Sequence, residues 1–513
     1  MELARVVATS AALAATRSRT RKVELLVDVL TDLGDADLPA GVSFLSGQPR
    51  QDRLEVGWAT VHGLEVPPAP AATLTVADVD DALEQVVAAE GTGSVGRRRD
   101  VLTGLLGRAT AEEQDWLRRL LLRELRQGAN EGIVVKAVAE AVEVPETAVR
   151  RALMLSGSLA AVVAAARAGG VAALDAVGLE VGRPLRPMLA SPAGDLDTAF
   201  ADWGTVVVEA KLDGARVQVH RDGDDVLVVT RNGNVITDRL PEAVAAARAC
   251  DAQRLVLDGE AIALDADGTP LPFQTTMSRF GREHGDETDA ASLPLTIAFF
   301  DVLHADGDTL DLPLAERLAV LDRVVPEAHR VERVTTDDVE VARTFLDDVL
   351  RRRHEGVMCK DPSAPYAAGR RGTAWRKLKP THTLDLVVLA AEWGSGRRRG
   401  WLSNLHLGCL DTETGEHVML GKTFKGLTDA MLAWQTERLQ ELEVRRTRQT
   451  VFVRPELVVE VELDGVVTSP RYPAGMALRF ARVKAHRPDR DPASVDTLAM
   501  LRAIHAGDLR PTV

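Results

Sequence analysis

Cysteine is scarce in this sequence: Cys250, Cys359 and Cys409 are the only three in 513 residues. They lie far apart and form no CxxC pair. That argues against a disulfide framework and a cysteine-built zinc module, and it suits a reducing compartment. Long apolar runs are lacking too. The stretch 152–166 (ALMLSGSLAAVVAAA) is too short to cross a bilayer and rich in Ala, Gly and Ser, so a buried helix is expected there and no membrane association. Residues 6–16 (VVATSAALAAT) are mildly apolar, follow Glu2 and Arg5 and lead to no cleavage pattern, so they do not read as a signal peptide. No internal repeat or low-complexity tract is visible.

An excess of positive charge is also absent, the formal net charge being −14. Such an average argues weakly against nucleic acid as a partner, but binding responds to local fields. The basic residues come in clusters: Arg17/Arg19/Arg21/Lys22, Arg97–Arg99, Arg118/Arg119/Arg123/Arg126, Arg351–Arg353, Arg397–Arg399 and Arg445/Arg446/Arg448. Each alone can be a solvated face. Spread along the chain, they suit a long polyanion better than one small acidic ligand.

The length exceeds one hydrophobic core, and an apolar content of 45% with 27% charged residues is ordinary for globular protein, so two to four domains are expected. Residues 1 to about 180 read as helical. Thr110 and Glu113 form a capping box, Trp116, Leu117, Leu120, Leu121 and Leu125 recur at helical spacing, and Gly128 is a plausible stop. Pro145 can open the next helix and Gly157 close it, while 64–72 and 90–96 read as loops. At about 182–195 a proline-rich stretch (GRPLRPMLASPAG) reads as an extended linker. β-patterned sequence follows: TVVVEA at 205–210, alternation around Val217 and Val219, and hairpin turns at Arg221-Asp-Gly-Asp and Asp265-Ala-Asp-Gly268. With helices interleaved at 313–323 and 338–352, this reads as α+β with antiparallel sheets. Beyond Lys379-Pro380, short closely spaced strands suggest a small β-barrel. The expected division is 1–182, 183–382 and 383–513.

The sharpest motif is Lys211-Leu-Asp213-Gly214-Ala-Arg216, between two strands. A lysine at a strand end, beside a glycine turn, can present its amine to a phosphate. An amine is a poor nucleophile while protonated, and neighbouring positive charge or burial frees its lone pair. Lys377 and Lys379 in Trp375-Arg-Lys-Leu-Lys-Pro380 are candidate cations. Four further units follow in order: Arg231-Asn232-Gly233, Asp258-Gly259-Glu260 and Phe299-Phe300-Asp301, each expected to end a strand, and Glu355-Gly356-Val-Met-Cys-Lys360. Each alone is as well explained by a turn or a core edge.

Together, in this order, they resemble the covalent nucleotidyltransferases, and over essentially the whole chain the ATP-dependent DNA ligases. The resemblance is to the three-domain type of archaea, actinobacteria and eukaryotic replication. KLDGAR, RNG, LDGE, FFD, EGVMCK and WRKLKP match the core motifs. RPLRPMLASP matches the start of the catalytic domain, ELRQGANEGIVVKAVAEA resembles the DNA-binding domain, and TSPRYPAGMALRFARVKAHRPDRD resembles the C-terminal motif. The resemblance implies an all-α DNA-binding domain, an α+β adenylyltransferase domain (ATP-grasp-like) and an OB-fold barrel.

It also implies roles. Lys211 would form the phosphoramidate with AMP, and Glu209 and Arg216 would contact the nucleotide. Arg231 would lie near ribose or phosphate, and Glu260 would bind the ribose or a metal. Phe300 would stack on adenine, and Glu355 would help hold metal. Arg371, Lys377 and Lys379 would contact phosphates; Arg479, Arg482 and Arg487 would orient the pyrophosphate. ATP is the implied substrate, Mg²⁺ the cofactor and nicked duplex DNA the partner, for a monomer in the cytoplasm associated with the nucleoid. Replication, repair and recombination are all open to it, and nothing indicates a sliding-clamp contact. Two positions depart from the family pattern: Ala481 stands at a usual proline and Arg490 at a usual lysine. The alternatives are an RNA ligase or a capping-type nucleotidyltransferase, both disfavoured by the helical N-terminal part, and a non-catalytic DNA-binding protein of ligase fold, disfavoured by the intact KLDGAR.

Overall fold

In the computed structural model, residues 1–51, 54–193, 195–279, 293–367 and 371–509 are described. Every helix or strand described between Leu3 and Asp175 is a helix, ten in all. They enclose one core that includes Leu26, Phe44, Trp116, Leu120, Val138, Leu153 and Val163. The capping box forms: Thr110 N–H donates to Glu113 (2.8 Å), and Glu113 N–H donates back to Thr110 Oγ1 (3.3 Å). That helix ends at Leu121, well before Gly128. Arg123 takes a positive φ of 54°, and the N–H groups of Arg123 and Glu124 bond back to Leu120 and Arg119, closing the last turn with a non-glycine residue. Pro145 and Gly157 do bracket a helix, Glu146–Ser156. The apolar stretch 152–166 is therefore split between that helix and the next, Leu159–Asp175. No helix among the described residues is long and apolar enough to cross a membrane.

Among the described residues the middle region holds nine strands in two sheets. One sheet has the order β1 (Leu189–Pro192), β9 (Arg371–Leu378), β8 (Gly356–Lys360), β2 (Val206–Lys211), β7 (Arg333–Thr336). The other runs β4 (Asp225–Thr230), β3 (Ala215–Asp222), β5 (Arg254–Ala263), β6 (Leu295–Ala305). The pairings are antiparallel except β1 with β9, which is parallel, so the expectation of purely antiparallel sheets needs that correction. The parallel pair arises because the proline-rich stretch is more than a linker and supplies β1. It also covers the second face of β3: Leu185 N–H donates to Gln218 (2.7 Å) and Gly182 N–H to His220 Nδ1 (3.1 Å). Both faces of β3 are thus buried, although its sequence alternates. Helices Pro241–Arg248 and Leu314–Val324 pack on the outer face of the four-stranded sheet. Leu196–Trp203 and Val339–Arg351 pack on the five-stranded one.

The C-terminal part is built on β10 (His382–Trp393), which pairs with β11 (Leu402–Leu410), β14 (Thr450–Val453) and β15 (Val458–Leu463). Irregularities at Val388/Ala390 and Glu392/Trp393 bend it. β12 (His417–Thr423), β13 (Glu443–Arg446) and β18 (Arg482–His486) extend this sheet to seven strands, and β16 (Gly465–Thr468) pairs with β17 (Met476–Arg479) apart from it. Helices Asp429–Glu441 and Leu498–Ala506 seal its core. The parts are tied by ion pairs: Arg151–Asp311 (2.6 Å) and Arg186–Glu131 between the first and second, Lys379–Asp464 (2.6 Å) and Arg479–Asp213 (2.6 Å) between the second and third.

Candidate active site

The inner faces of the two middle sheets enclose a cavity of about 250 Å³. Strand periodicity decides which residues line it, because every second side chain points inward. β2 supplies Glu209 and Lys211, β8 Met358 and Lys360, and β9 Trp375 and Lys377. β3 supplies Arg216, β5 Glu260 and β6 Phe300, with Arg231 following β4. The DGE and FFD units lie inside β5 and β6, not at their ends as the sequence suggested. Their inward residues occupy one wall because the two strands pair in register, Glu260 opposite Ala298.

Lys211 is the last residue of β2, opposite Gly356 on β8. Its half-buried amine forms an ion pair with Glu355, and Glu355 also accepts from Lys379, which in turn meets Asp464 at 2.6 Å. Burial pushes the Glu355 carboxyl up, but the two lysines outweigh burial and hold it below the usual carboxylate value. Gly214 is required by close approach: a Cβ there would lie 2.3 Å from the Ala261 carbonyl oxygen. The turn after Lys211 can therefore press against β5. Asp213, in that turn, receives both prongs of Arg479 at 2.6 and 2.9 Å.

At the other end, Glu209 is 2% exposed and paired with Lys360, itself 1% exposed. Burial raises the Glu209 carboxyl despite that partner. One of its oxygens, Oε1, is buried with no hydrogen-bond partner. Phe300 stands edge-on to Trp375 (centroids 5.9 Å apart, 80°), and the Lys360 ammonium sits over both rings at 4.7 and 4.3 Å. Arg216 is engaged by protein: it donates to Asp258 (2.9 Å) and to the Met188 carbonyl (2.6 Å). Tyr366 donates to the same Asp258 (2.7 Å). Glu260 is pushed up to about 8 by burial, which outweighs the pull of Lys211 and Arg216.

The structure thus brings Lys211, Glu209, Arg216, Arg231, Glu260, Phe300 and Lys377 onto one cavity, with Glu355 and Lys379 joined to it through Lys211. The side chain of Arg371 lies outside the described residues. Arg479 reaches Asp213, and Arg482 pairs with Glu462 (3.2 Å) and lines a second cavity. Arg487 lines neither; it pairs with Asp489 (2.9 Å), Glu460 (3.3 Å) and Asp385 (3.7 Å). Arg490 also meets Asp385 (2.9 Å), and Ala481 is buried, its carbonyl accepting from Thr423 (2.6 Å).

Lys360 and Trp375 carried no assigned role in the sequence reading. Period-two spacing from Met358 and Lys377 was the signal that could have found them. Asp213 and Asp464 had none, since their partners come from other parts of the chain.

The lining suits a nucleotide: an aromatic shelf, an unpaired acceptor and cations at the nucleophile end. No group of three or more His, Cys, Asp or Glu side chains among the described residues is arranged to hold a metal ion. A Mg²⁺ ion needs fewer, since one or two carboxylates together with substrate phosphates suffice, and Glu260 beside Lys211 fits that mode. Both Glu355 oxygens are occupied by lysines.

Comparison with known proteins gives a consistent result. Family models match at residues 59–139 (DNA ligase N terminus), 187–379 (ATP dependent DNA ligase domain) and 398–490 (ATP dependent DNA ligase C terminal region). A protein of Saccharopolyspora erythraea named probable DNA ligase is 54% identical, with 98% of each chain covered. One of Rhodococcus opacus with the same name is 52% identical over 99% of this chain and all of its own, 100%. Among solved structures, one described as Pmar-Lig_PreS3 shares the fold at 20% identity, with a TM-score of 0.61 over 94% of this chain and 99% of that one.

Proposed function

The chain belongs to the ATP-dependent DNA ligases, and from that premise we propose how its residues divide the work. The enzyme seals nicks in duplex DNA, joining a 3′-hydroxyl to a 5′-phosphate by way of enzyme–AMP and DNA–adenylate intermediates. In our reading the first step belongs to Lys211. Its Nζ loses a proton to solvent and bonds the α-phosphorus of ATP, the bond to the β-phosphate's bridging oxygen breaks, and pyrophosphate leaves. AMP then passes to the 5′-phosphate, and the 3′-hydroxyl displaces it. The observation that carries this assignment is the position of Lys211: on the wall of a cavity with an aromatic shelf at its far end and cations at its near one.

Adenine lies against Phe300, and its exocyclic amine donates to the unpaired Glu209 Oε1. Arg216 acts mainly by shape and charge, held to Asp258. Arg231, Lys377 and Lys379 meet phosphates, as does Arg371, and Arg479 serves the docking of the C-terminal part on Asp213. Mg²⁺ would be held by Glu260, and by Glu355 if a lysine yields, together with phosphate oxygens; when bound it neutralises the polyphosphate. The three parts divide at about 182 and 382. The first is an all-α DNA-binding domain gripping phosphates without regard to sequence, the second the adenylyltransferase domain, and the third an OB-fold barrel formed by the bent β10 sheet. The enzyme works as a monomer on nicked duplex DNA in the cytoplasm, at the nucleoid, in replication, repair or recombination.

The test is direct. Incubated with α-labelled ATP and Mg²⁺, the protein acquires label, and Lys211→Ala does not. An adduct that survives in Lys211→Ala defeats the assignment. Sealing of a nicked RNA duplex in preference to nicked DNA would make this an RNA ligase.

A further inference from the structure

Behind the aromatic wall of the nucleotide cavity, four residues close a ring of hydrogen bonds. Tyr366, in the segment between β8 and β9, is at its centre. Its hydroxyl donates to Asp258 (2.7 Å) and accepts from the Met188 N–H (2.9 Å). The Met188 carbonyl accepts from Arg216 (2.6 Å), and Arg216 donates two prongs to Asp258, one of them at 2.9 Å. Tyr366 and Asp258 are 3% and 1% exposed. Burial, with Asp258 beside it, holds the Tyr366 hydroxyl well above the usual phenol value, so it stays a donor through the neutral range.

The same tyrosine supports the shelf. Its ring stands edge-on to Trp375 (5.9 Å, 85°), and Trp375 stands edge-on to Phe300 (5.9 Å, 80°). The Arg216 guanidinium lies 5.3 Å from the Phe300 centroid and 5.7 Å from that of Trp375. Arg216 thus meets both aromatics from a place fixed by Asp258 and Met188, and Tyr366 holds each of those two. The Tyr366 backbone is anchored in turn, its N–H donating to the Leu310 carbonyl (3.1 Å). Met154 and Leu155, from helix Glu146–Ser156 of the N-terminal part, belong to the same buried cluster as Met188, Tyr366 and Trp375. A polar group that loses its partner in such surroundings is not readily compensated by water.

We propose that Tyr366 is a positioning residue for adenylation: its hydroxyl locks Asp258 and Met188, and through them sets the place of the Arg216 guanidinium at the nucleotide. The inference rests on Arg216 facing the nucleotide in this cavity. With Arg216 as its only partner, the Asp258 carboxylate would be free to turn and carry the guanidinium with it. The Tyr366 hydroxyl removes that freedom. Without it, Asp258 is one donor short and the Met188 N–H has no acceptor, so the two groups that hold Arg216 both shift. A guanidinium no longer held in place loses more freedom when ATP binds, and affinity falls.

Tyr366→Phe keeps the ring against Trp375 and removes only the hydroxyl. Adenylation is followed against ATP concentration in wild type, Tyr366→Phe, Arg216→Met and the double variant, with thermal unfolding as a check on folding. Tyr366→Phe should raise the half-saturating ATP concentration about three- to tenfold, the scale of one net hydrogen bond, and leave the maximal rate within about twofold. In the Arg216→Met background the same change should have no further effect on ATP dependence. If Arg216→Met is too slow to adenylate, the four proteins are compared by calorimetric ATP binding with Lys211→Ala added to each, so that no adduct forms. Asp258→Asn serves if Tyr366→Phe folds poorly: it loosens Arg216 from the other side of the ring, and it too should raise the half-saturating concentration only while Arg216 is present. Wild-type ATP dependence in Tyr366→Phe overturns the proposal. So does a loss confined to the maximal rate, or an equal rise with and without Arg216, which would make Tyr366 a support of the pocket alone. Unchanged ATP dependence in Arg216→Met is a separate result and removes the reading underneath.

Discussion

Replacing Lys360 by methionine leaves Glu209 without its partner inside the protein. The two side chains are 1% and 2% exposed. Methionine fills most of the volume of the lysine stem, so cavity formation contributes little. The loss comes from the abandoned charge: breaking one side of a buried ion pair costs about 3–5 kcal/mol. Glu209 already lies above the usual carboxylate value because of burial, with Lys360 pulling the other way. Without Lys360 it rises further and takes up a proton, which limits the loss. A carboxyl raised in the folded state binds more protons folded than unfolded, so the penalty grows as pH rises through its folded value and shrinks below it. Urea unfolding of the middle region at about pH 5.5 and about pH 8 should therefore show Lys360→Met much more destabilised at the higher pH. Adding Glu209→Gln removes the stranded charge, and the double variant should recover to within about 1–2 kcal/mol of wild type. A loss below about 1 kcal/mol at the higher pH, equal losses at both, or a double variant no better than the single would refute this account of the pair.

Other expectations follow from the same geometry. Glu209→Gln should raise the half-saturating ATP concentration about tenfold and narrow the preference for ATP over GTP, whose ring carries a carbonyl where adenine has its amine; unchanged selectivity in an adenylation assay would remove Glu209 Oε1 as the adenine reader. His220 is held down at about 4 against a usual 6.5 by burial, its Nδ1 accepting from Gly182. Because the unfolded chain takes the proton first, about 3 kcal/mol of stability is lost as pH falls from 6.5 toward 4, and His220→Gln should flatten that acid limb in thermal melts. Arg317 and Asp301 form an ion pair in which neither side chain is exposed (0% each), so Arg317→Met should cost at least about 3 kcal/mol in urea unfolding, and a cost near zero would show that the pair is dispensable.

Motif residues were legible in the sequence where neighbours in the chain are neighbours in space. KLDGAR marks a strand end, a glycine forced by close approach and the start of the next strand, all within six residues. Strand alternation then carries Glu209 along with Lys211. Charge pattern was a poorer guide, because a sequence gives the sign of a residue but not its partner. Arg118 was read with a cluster facing a polyanion, yet it donates to the Val61 and Leu64 carbonyls at 2.7 and 2.9 Å and pins a loop. Lys22, from another cluster, is 7% exposed and donates to the Gln127 carbonyl at 3.1 Å. Both faces of β3 were hidden from sequence for the same reason, since the segment that covers Gln218 and His220 lies more than thirty residues upstream. The helix expected to run to Gly128 stops early because Arg123 supplies the left-handed residue that glycine usually provides.

Lys211, Glu355, Lys379 and Asp464 form a continuous line of alternating charge from the nucleophile to the C-terminal part. Glu355 is held below the usual carboxylate value, so it stays ionised at neutral pH and binds both lysines at once. On the proposed chemistry, adenylation turns the Lys211 amine into a phosphoramidate and removes its positive charge. Glu355 then keeps one cationic partner instead of two, and its hold on Lys379 competes more strongly with that of Asp464. The covalent step therefore weakens the Lys379–Asp464 tie from the middle-domain side. Arg479, bound to Asp213 two residues from Lys211, is the other tie within reach of the same change. On that chemistry, forming the AMP adduct and loosening the C-terminal part would be coupled through Glu355.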